Sequence, residues 1–169
     1  MQTRRHIRAA FTLLEGLLSI VVIAIIAALT LPVVNGATDN FAEASSARRA
    51  TENVAFAMER TVRLLRDAPP GTTINTLDIT SASQDALVFG NGSSIALQSG
   101  QLMLTTDTAA GAGVLLSGVQ TFQLQYLGED GVTSTLTAPA TTQRFVITIR
   151  AGNAELRCVA FPRVRMVPQ

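Results

Sequence analysis

Residues 11–34 read FTLLEGLLSIVVIAIIAALTLPVV, an apolar run with one charged side chain, Glu15, close to its start. A helix that crosses a bilayer needs about 20 predominantly apolar residues, and this run is long enough. A carboxylate costs about 2.5–3.5 kcal/mol at the bilayer centre on insertion scales, and less nearer the interface. A charge in such a segment therefore needs a partner, and the identity of that partner bears on function.

The ten residues before the apolar run are basic and hold no acidic side chain. By the positive-inside rule they stay in the cytoplasm, and the C-terminal part of the chain is exported. The whole chain has 169 residues and a net charge of +1. Without residues 1–10, which carry three arginines, ten basic residues stand against twelve acidic ones. Bulk charge therefore gives no reason to expect a nucleic-acid partner.

The sequence is poor in the residues that enzymes and metal sites use. It has one cysteine, Cys158, and one histidine, His6, so an internal disulfide is excluded. His6 lies in the basic leader, and a mature chain without this leader has no usual zinc site and no Cys–His or Ser–His pair. Glycine-rich phosphate loops and paired metal-ligand spacings are also absent from the sequence. We therefore predict no catalytic residue, no metal site and no cofactor, and the protein is not expected to be an enzyme.

These observations leave three interpretations of the N-terminal segment open. A secretory signal has an apolar core of about 7–15 residues followed by a small-residue cleavage site. The run here is longer, and no clear small-x-small pattern follows Pro32. A plain single-span anchor accounts for the length of the run but not for Glu15. The third interpretation rests on a resemblance to a known family.

Residues 11–15 read FTLLE and follow a short basic leader. This combination resembles the N-terminus of type IV pilin-like proteins. In that family a prepilin peptidase cuts before the phenylalanine on the cytoplasmic face, and the new N-terminus is methylated. The resemblance implies cleavage between Ala10 and Phe11, a methylated Phe11, and Glu15 as the fifth mature residue. Pro32 falls where many members carry a helix-kinking proline. The family normally has glycine where this chain has Ala10, and alanine is the smallest step up in side-chain size.

After such a cleavage Phe11 carries a cationic amine at the helix start, about one turn from Glu15. Where screening by water is poor, the amine of a neighbouring subunit is a favourable partner for the Glu15 carboxylate. This pairing offsets the burial costs of two charges and sets an axial step between subunits. The resemblance implies the same contact in filament assembly. The alternative is that Glu15 only extends to the membrane interface.

Beyond Val34 the sequence predicts an amphipathic continuation of the helix over residues 35–68. We expect the helix to bend or partly melt at Pro32 and Asn35-Gly36, and to end at residues 69–71, which read PPG. One apolar stripe recurs at three- to four-residue spacing and is expected to pack on the chain's own sheet. Its members are Phe41, Ala44, Ala47, Thr51, Val54, Met58, Val62 and Leu65.

Residues 69–169 predict a β-rich head, because short apolar runs alternate there with turn residues. The predicted strands are 86–89, 94–98 and 101–105, one around Phe122, Leu124 and Tyr126, and a hairpin of 144–150 with 154–161. Surface loops are predicted over 105–113 and 132–142. The expected fold class is α+β: a long N-terminal helix, half transmembrane and half amphipathic, packed on a C-terminal antiparallel β-sheet in a pilin-like arrangement.

Residues 114–122 and the turn at 128–131 loosely resemble the J-type minor pseudopilins of type II secretion and the W-type minor pilins. The cysteine pair that staples a C-terminal loop in many major pilins is missing from the sequence. Asp107, Glu129 and Asp130 are acidic loop residues, but they lack the D-x-D-x-D-G spacing of a calcium loop. Calcium binding is therefore unsupported.

The resemblance implies a structural minor subunit of a type II secretion pseudopilus, which starts or caps the filament that drives protein export. Residues 1–10 are then a cleaved leader and 11–34 a single transmembrane helix of the inner membrane, with the N-terminus cytoplasmic and residues 69–169 periplasmic. The expected partners are other pseudopilin or pilin subunits, the prepilin peptidase, the inner-membrane assembly platform and the lipid bilayer. Two alternatives stay open: a minor pilin of a type IV pilus or DNA-uptake filament, and a membrane-anchored periplasmic binding or enzymatic domain.

Overall fold

The computed structural model describes residues 13–106 and 108–163. One long helix, α1, spans Leu13–Arg66, and eight strands follow it in the described chain. The strands are β1 Ile79–Ala82, β2 Ala86–Phe89, β3 Ser94–Gln98, β4 Gln101–Thr105, β5 Gly113–Ser117, β6 Val119–Leu127, β7 Arg144–Ala151 and β8 Ala154–Ala160. A short 3-10 helix, Pro139–Thr141, lies between β6 and β7. The predicted α+β fold class is confirmed.

The chain divides into two compact units after Ser45. The described part of the first unit is helical throughout, from Leu13 onward. The second unit contains the remainder of α1 and all eight strands. The sequence-based boundary after Val34 followed a change in hydropathy, whereas the division after Ser45 follows packing.

α1 is helical through both Pro32 and Asn35-Gly36. The prediction that the helix partly melts there is therefore wrong. A proline removes one backbone donor and crowds the carbonyl four residues earlier, but the helix continues on both sides of Pro32. Hydroxyl groups supply further local bonds, since Thr30 Oγ1 donates to the carbonyl oxygen of Ile26 at 2.9 Å and Thr38 Oγ1 donates to that of Val34 at 2.7 Å. The kink at Pro32 stays a prediction.

The strands form two antiparallel sheets, not the single sheet that was predicted. The first sheet has the order β1-β2-β3-β4-β5, and the second has the order β6-β7-β8. Gly118 separates β5 from β6 with a φ of 71°, which is in the left-handed region that favours glycine. The turn at Gly118 divides residues 114–122 between the two sheets, although they read as one continuous run.

Most of the predicted strands are confirmed. β2, β3 and β4 have the predicted bounds, the strand around Phe122 lies within β6, and the predicted hairpin is β7 and β8 joined by Gly152-Asn153. Sequence reasoning missed β1 and β5. β1 is the short, largely exposed segment ITSA, and β5 begins at Gly113, the last residue of a predicted loop. Both strands exist because a neighbouring strand pairs with them, as Ile79 does with Phe89.

One hydrophobic core joins the C-terminal part of α1 to both sheets. The buried members from α1 are Val54, Ala57, Met58 and Leu65. The five-stranded sheet contributes Leu87, Phe89, Ile95, Leu102 and Leu116, and the three-stranded sheet contributes Val119, Phe122, Leu124, Tyr126, Phe145, Ile147, Ile149, Ala151, Ala154 and Ala160. The helix and the two sheets of the second unit are thus held together by the same apolar cluster.

The apolar stripe predicted along α1 is confirmed only in its C-terminal half. Val54, Met58 and Leu65 are buried and Val62 is half-buried, whereas Phe41 is 77% exposed. The other exposed members are Ala44, Ala47 and Thr51. The helical period puts these residues on one face, but burial also needs a covering element. Elements of the second unit bury the stripe only from Val54 onward.

Tyr126 connects the two sheets through its hydroxyl group. That hydroxyl donates to the carbonyl oxygen of Ser83 at 2.8 Å, in the turn between β1 and β2, and to that of Ala86 at 3.2 Å, at the start of β2. In the same turn the carbonyl oxygen of Gln84 accepts the backbone N–H of Leu124 at 2.7 Å. Burial raises the pKa of Tyr126 above its ordinary value. The phenol therefore stays protonated and can donate at neutral pH.

We expect Tyr126→Phe to lower the free energy of unfolding of the second unit by about 1–2 kcal/mol, because the partly buried carbonyl oxygen of Ser83 loses its phenol donor. Chemical denaturation followed by circular dichroism measures the change. The ring and its packing on Phe145, with centroids 5.5 Å apart, are retained, so the difference reports the hydroxyl alone. An unchanged unfolding midpoint would show that the bond to the β1–β2 turn contributes nothing net.

Candidate functional site

The first unit presents apolar side chains on all sides of α1. Every described residue from Leu13 to Ala44 is exposed, apart from the half-buried Gly16. Leu13 is 89% exposed and Val33 is 71% exposed. A helix that is apolar all round is normally buried in a protein core or in a membrane. These exposed side chains form a large apolar patch of the kind that marks an interaction site.

In the described residues α1 is the helix that is long and apolar enough to cross a membrane. Residues 13–34 rise about 33 Å at 1.5 Å per residue, which matches a hydrocarbon core of about 30 Å. Single-pass membrane anchoring is therefore consistent with the length and composition of this segment.

Glu15 lies in the first turn of α1, and its side chain is exposed. It is the one charged residue between Leu13 and Val34. The N-terminal end of a helix carries a partial positive charge that favours a carboxylate at this place. The backbone oxygen of Glu15 accepts a hydrogen bond from the hydroxyl of Ser19 at 2.8 Å, so this hydroxyl has a partner within the apolar segment. The arrangement places an anionic acceptor at one end of an uncovered apolar surface.

The predicted site residues are described in part. Ala10 and Phe11, the processing and methylation positions, lie outside the described residues. Glu15 and Pro32 both lie on α1, about 26 Å apart along the helix at 1.5 Å per residue, so they belong to different places. A shallow groove lies beside Pro32, lined by Ala27, Ala28, Leu31 and Asn35. Its small side chains allow another surface to approach the backbone closely.

In the second unit, a cleft of about 560 Å³ lies between the end of α1 and the five-stranded sheet. Arg60, Arg63 and Asp67 are its charged lining residues. Asp67 Oδ1 lies 3.2 Å from a guanidinium nitrogen of Arg163, and the Arg60 guanidinium lies 5.3 Å from the ring centroid of Phe56. Asp67 and Arg60 thus have partners within the chain, so the cleft is a weaker candidate than the apolar segment.

The acidic loop at residues 128–134 is closed by Asp130. Asp130 Oδ1 accepts the backbone N–H groups of Val132 and Thr133 at 3.0 Å each, and Oδ2 accepts the hydroxyl of Thr133. The Thr133 hydroxyl and the two N–H groups lower the pKa of Asp130 to about 2. The guanidinium of Arg144 donates to the carbonyl oxygen of Glu129 on the same loop. Sequence reasoning predicted a turn or loop at residues 128–131 but missed the hydrogen bonds of the Asp130 side chain, which is a residue type that commonly bonds to the backbone of its own turn.

The acidic residues of the sequence do not gather into a metal site in the described chain. Within 13–106 and 108–163, no three His, Cys, Asp or Glu side chains come close enough to hold a metal ion. Asp107 lies outside the described residues. The Asp130 carboxylate accepts hydrogen bonds from within the turn, and the backbone oxygen of Glu129 accepts a hydrogen bond from Arg144.

We expect the stability of the second unit to fall between about pH 4 and about pH 2, in part because Asp130 becomes protonated. Its folded pKa of about 2 lies below the ordinary value of 3.8. A depressed pKa contributes stability above the unfolded pKa, and that stability is lost as the pH falls through the folded pKa. Asp130→Asn should therefore show a shallower fall in Tm over this interval than the unmodified chain. Parallel curves for the two proteins would contradict the assignment.

The apolar segment with Glu15 in its first turn is the candidate functional site of this protein. Its features are an uncovered surface, a length that matches a bilayer and one carboxylate near its end. No protein-family profile matches the sequence, and comparisons with curated proteins and with solved structures find no similar protein.

Proposed function

We propose that this protein is a type IV pilin-like minor subunit, of the kind that starts or caps the pseudopilus of a type II secretion system. The observation that carries the proposal is Glu15, a single carboxylate in the first turn of a helix whose apolar side chains are exposed. A surface of this kind is stable among lipids or other apolar helices, where a cationic group is the favourable partner of a carboxylate.

The proposed mechanism is assembly without catalysis. A prepilin peptidase removes residues 1–10, and the amine of Phe11 becomes the cation at the helix start. In the membrane, the Glu15 carboxylate of one subunit pairs with the Phe11 amine of its neighbour. In the low dielectric of that environment such a pair is stronger than in water. The small-residue groove beside Pro32 lets a neighbouring helix approach closely, as small residues do in membrane helix pairs.

In this proposal residues 11–34 cross the inner membrane with their N-terminal end in the cytoplasm, and the second unit lies in the periplasm. The second unit carries an α+β body with a single apolar core, which is suited to packing around the helices of a filament. If the protein is a subunit of a type II secretion pseudopilus, loss of its gene should block protein export. A block in twitching or in DNA uptake instead would assign the subunit to a type IV pilus or to an uptake filament.

The processing step is tested by N-terminal sequencing and intact mass of the chain purified from membranes through a C-terminal tag. We expect a mature protein that begins at Phe11 and carries one added methyl group. Ala10→Gly should be processed at least as completely, and a bulky side chain in place of Ala10 should leave the leader attached. Recovery of the unmodified chain with residues 1–10 still joined would refute the proposal, because Phe11 would have no free amine.

A further inference from the structure

In the described part of the chain, β8 is an edge strand of the three-stranded sheet. It forms an antiparallel ladder with β7 that has no bulge. The ladder runs from the pair Phe145–Ala160 to the pair Ala151–Ala154. Among the described elements, β7 is the one that lies alongside it. Every second residue of β8 therefore points its backbone N–H and C=O groups away from the sheet, where another strand can bind them.

The other sheet edges carry features that block strand addition. β1 has four residues, β5 has five, and both ladders contain a register shift. The free edge of β6 is covered, because the N–H of Leu124 donates to the Gln84 carbonyl oxygen and the N–H of Thr135 donates to that of Tyr126. Short strands, bulges and covering loops are the usual protections of an edge. β8 has seven residues, no proline and no bulge.

The side chains of β8 alternate between the two faces of the sheet. Glu155 and Arg157 are exposed on one face, and Leu156 and Cys158 are half-buried on the other. Residues directly opposite each other in an antiparallel pair share a face, and opposite charges there are favourable. When two β8 strands are placed antiparallel with Leu156 opposite Leu156, the Glu155 of each strand lies opposite the Arg157 of the other.

This register is the one that the charges of β8 select. A shift of two residues places Glu155 opposite Glu155, or Arg157 opposite Arg157, and like charges directly opposite are unfavourable. A shift of one residue places an exposed position opposite a half-buried one and mismatches the backbone groups. Within its own chain Glu155 lies opposite Arg150 of β7, so it would stand between two arginines in the paired state.

We propose that β8 is a homodimerisation edge, through which two copies of this chain join their three-stranded sheets into one six-stranded sheet. The strands pair antiparallel about Leu156, so the same surface of each copy forms the contact, as in a two-fold dimer. The partner is a second copy because the charge pattern of Glu155 and Arg157 is complementary to itself. The inference does not depend on the proposed role of Glu15.

The proposal is tested with the full-length chain in detergent micelles, where self-association is measured by energy transfer between differently labelled copies. The unmodified protein should associate, and Arg157→Glu should weaken association about tenfold or more, because two attractive cross-strand pairs become repulsive. Glu155→Arg should have a similar effect. A mixture of the two variants should associate as the unmodified protein does, because the two carboxylates of one strand then face the two guanidinium groups of the other. Arg49→Glu, an exposed reversal on α1, is the matched control.

Disulfide formation checks the register of the paired strands. Leu156→Cys in a Cys158→Ser background should form a disulfide-linked dimer under mild oxidation, because the two positions lie opposite each other. The unmodified chain is the control, since its Cys158 lies opposite Ala154 of the other copy. A monomeric protein, an association that Arg157→Glu leaves unchanged, or a disulfide through Cys158 would each overturn the proposal. If the chains associate through α1 alone, Arg157→Glu leaves the association unchanged. This variant therefore distinguishes association through α1 from pairing through β8.

Discussion

Glu15→Ala should enter the membrane as the unmodified protein does and lose its incorporation into filaments about tenfold or more. The expected loss follows from one charge-assisted hydrogen bond in a poorly screened environment, which contributes about 1.5–3 kcal/mol. Insertion should not suffer, because the substitution removes the one charged group between Leu13 and Val34. Membrane fractionation measures insertion, and co-purification with sheared filaments measures incorporation.

Two further variants separate the charge from the shape of the Glu15 side chain. Glu15→Gln keeps the size but removes the charge, so it should behave as Glu15→Ala does. Ser19→Ala, one turn along the helix, removes only the hydroxyl that donates to the Glu15 backbone oxygen and serves as the matched control. Normal incorporation of both Glu15 variants would favour a plain membrane anchor and would count against pairing with a Phe11 amine.

Leu65→Ala should lower the free energy of unfolding of the second unit by about 2–5 kcal/mol, the usual cost of a cavity in an apolar core. Leu65 is 0% exposed and belongs to the cluster that joins α1 to both sheets. Tyr126 is the sole tyrosine and the sequence has no tryptophan, so its fluorescence reports on this core during denaturation. A stability loss this large is expected to leave some of the protein unfolded at physiological temperature.

Phe41→Ala is the informative control for Leu65→Ala, because the sequence places both residues on one apolar stripe. Phe41 is 77% exposed, and a surface substitution usually changes stability by less than about 0.5 kcal/mol. The second unit should therefore unfold as before. A loss from Phe41→Ala comparable to that from Leu65→Ala would mean that the whole stripe packs against the strands. A filament defect with normal stability would instead place Phe41 in a contact between subunits.

Cys158, the one cysteine of the sequence, packs against the core of the second unit. Cys158 lies in β8 opposite Ile147 and is half-buried against the core. Cys158→Ser should therefore have a mild effect on stability, and the variant is a suitable background for engineered cysteines. A clear assembly defect from this change alone would assign Cys158 a role in contacts between chains.

Sequence alone was enough for the features that depend on neighbouring residues. The long apolar run and the prolines after Asp67 predict α1, because helix formation and its termination are local. β2, β3 and β4 were predicted with their observed bounds, since turn residues such as Gly90 and Gly100 mark their ends. Glu15 was singled out for the same local reason, as the one charge within an apolar segment.

The tertiary structure alone decided the features that depend on residues far apart in the chain. It buries Leu65 and leaves Phe41 exposed, because burial needs a covering element as well as an apolar face. It also divides the strands between two sheets and joins them through a hydrogen bond from Tyr126 to Ser83, 43 positions away. A periodic pattern states which face of an element is apolar. Which other element covers that face depends on long-range packing, and no local pattern contains that information.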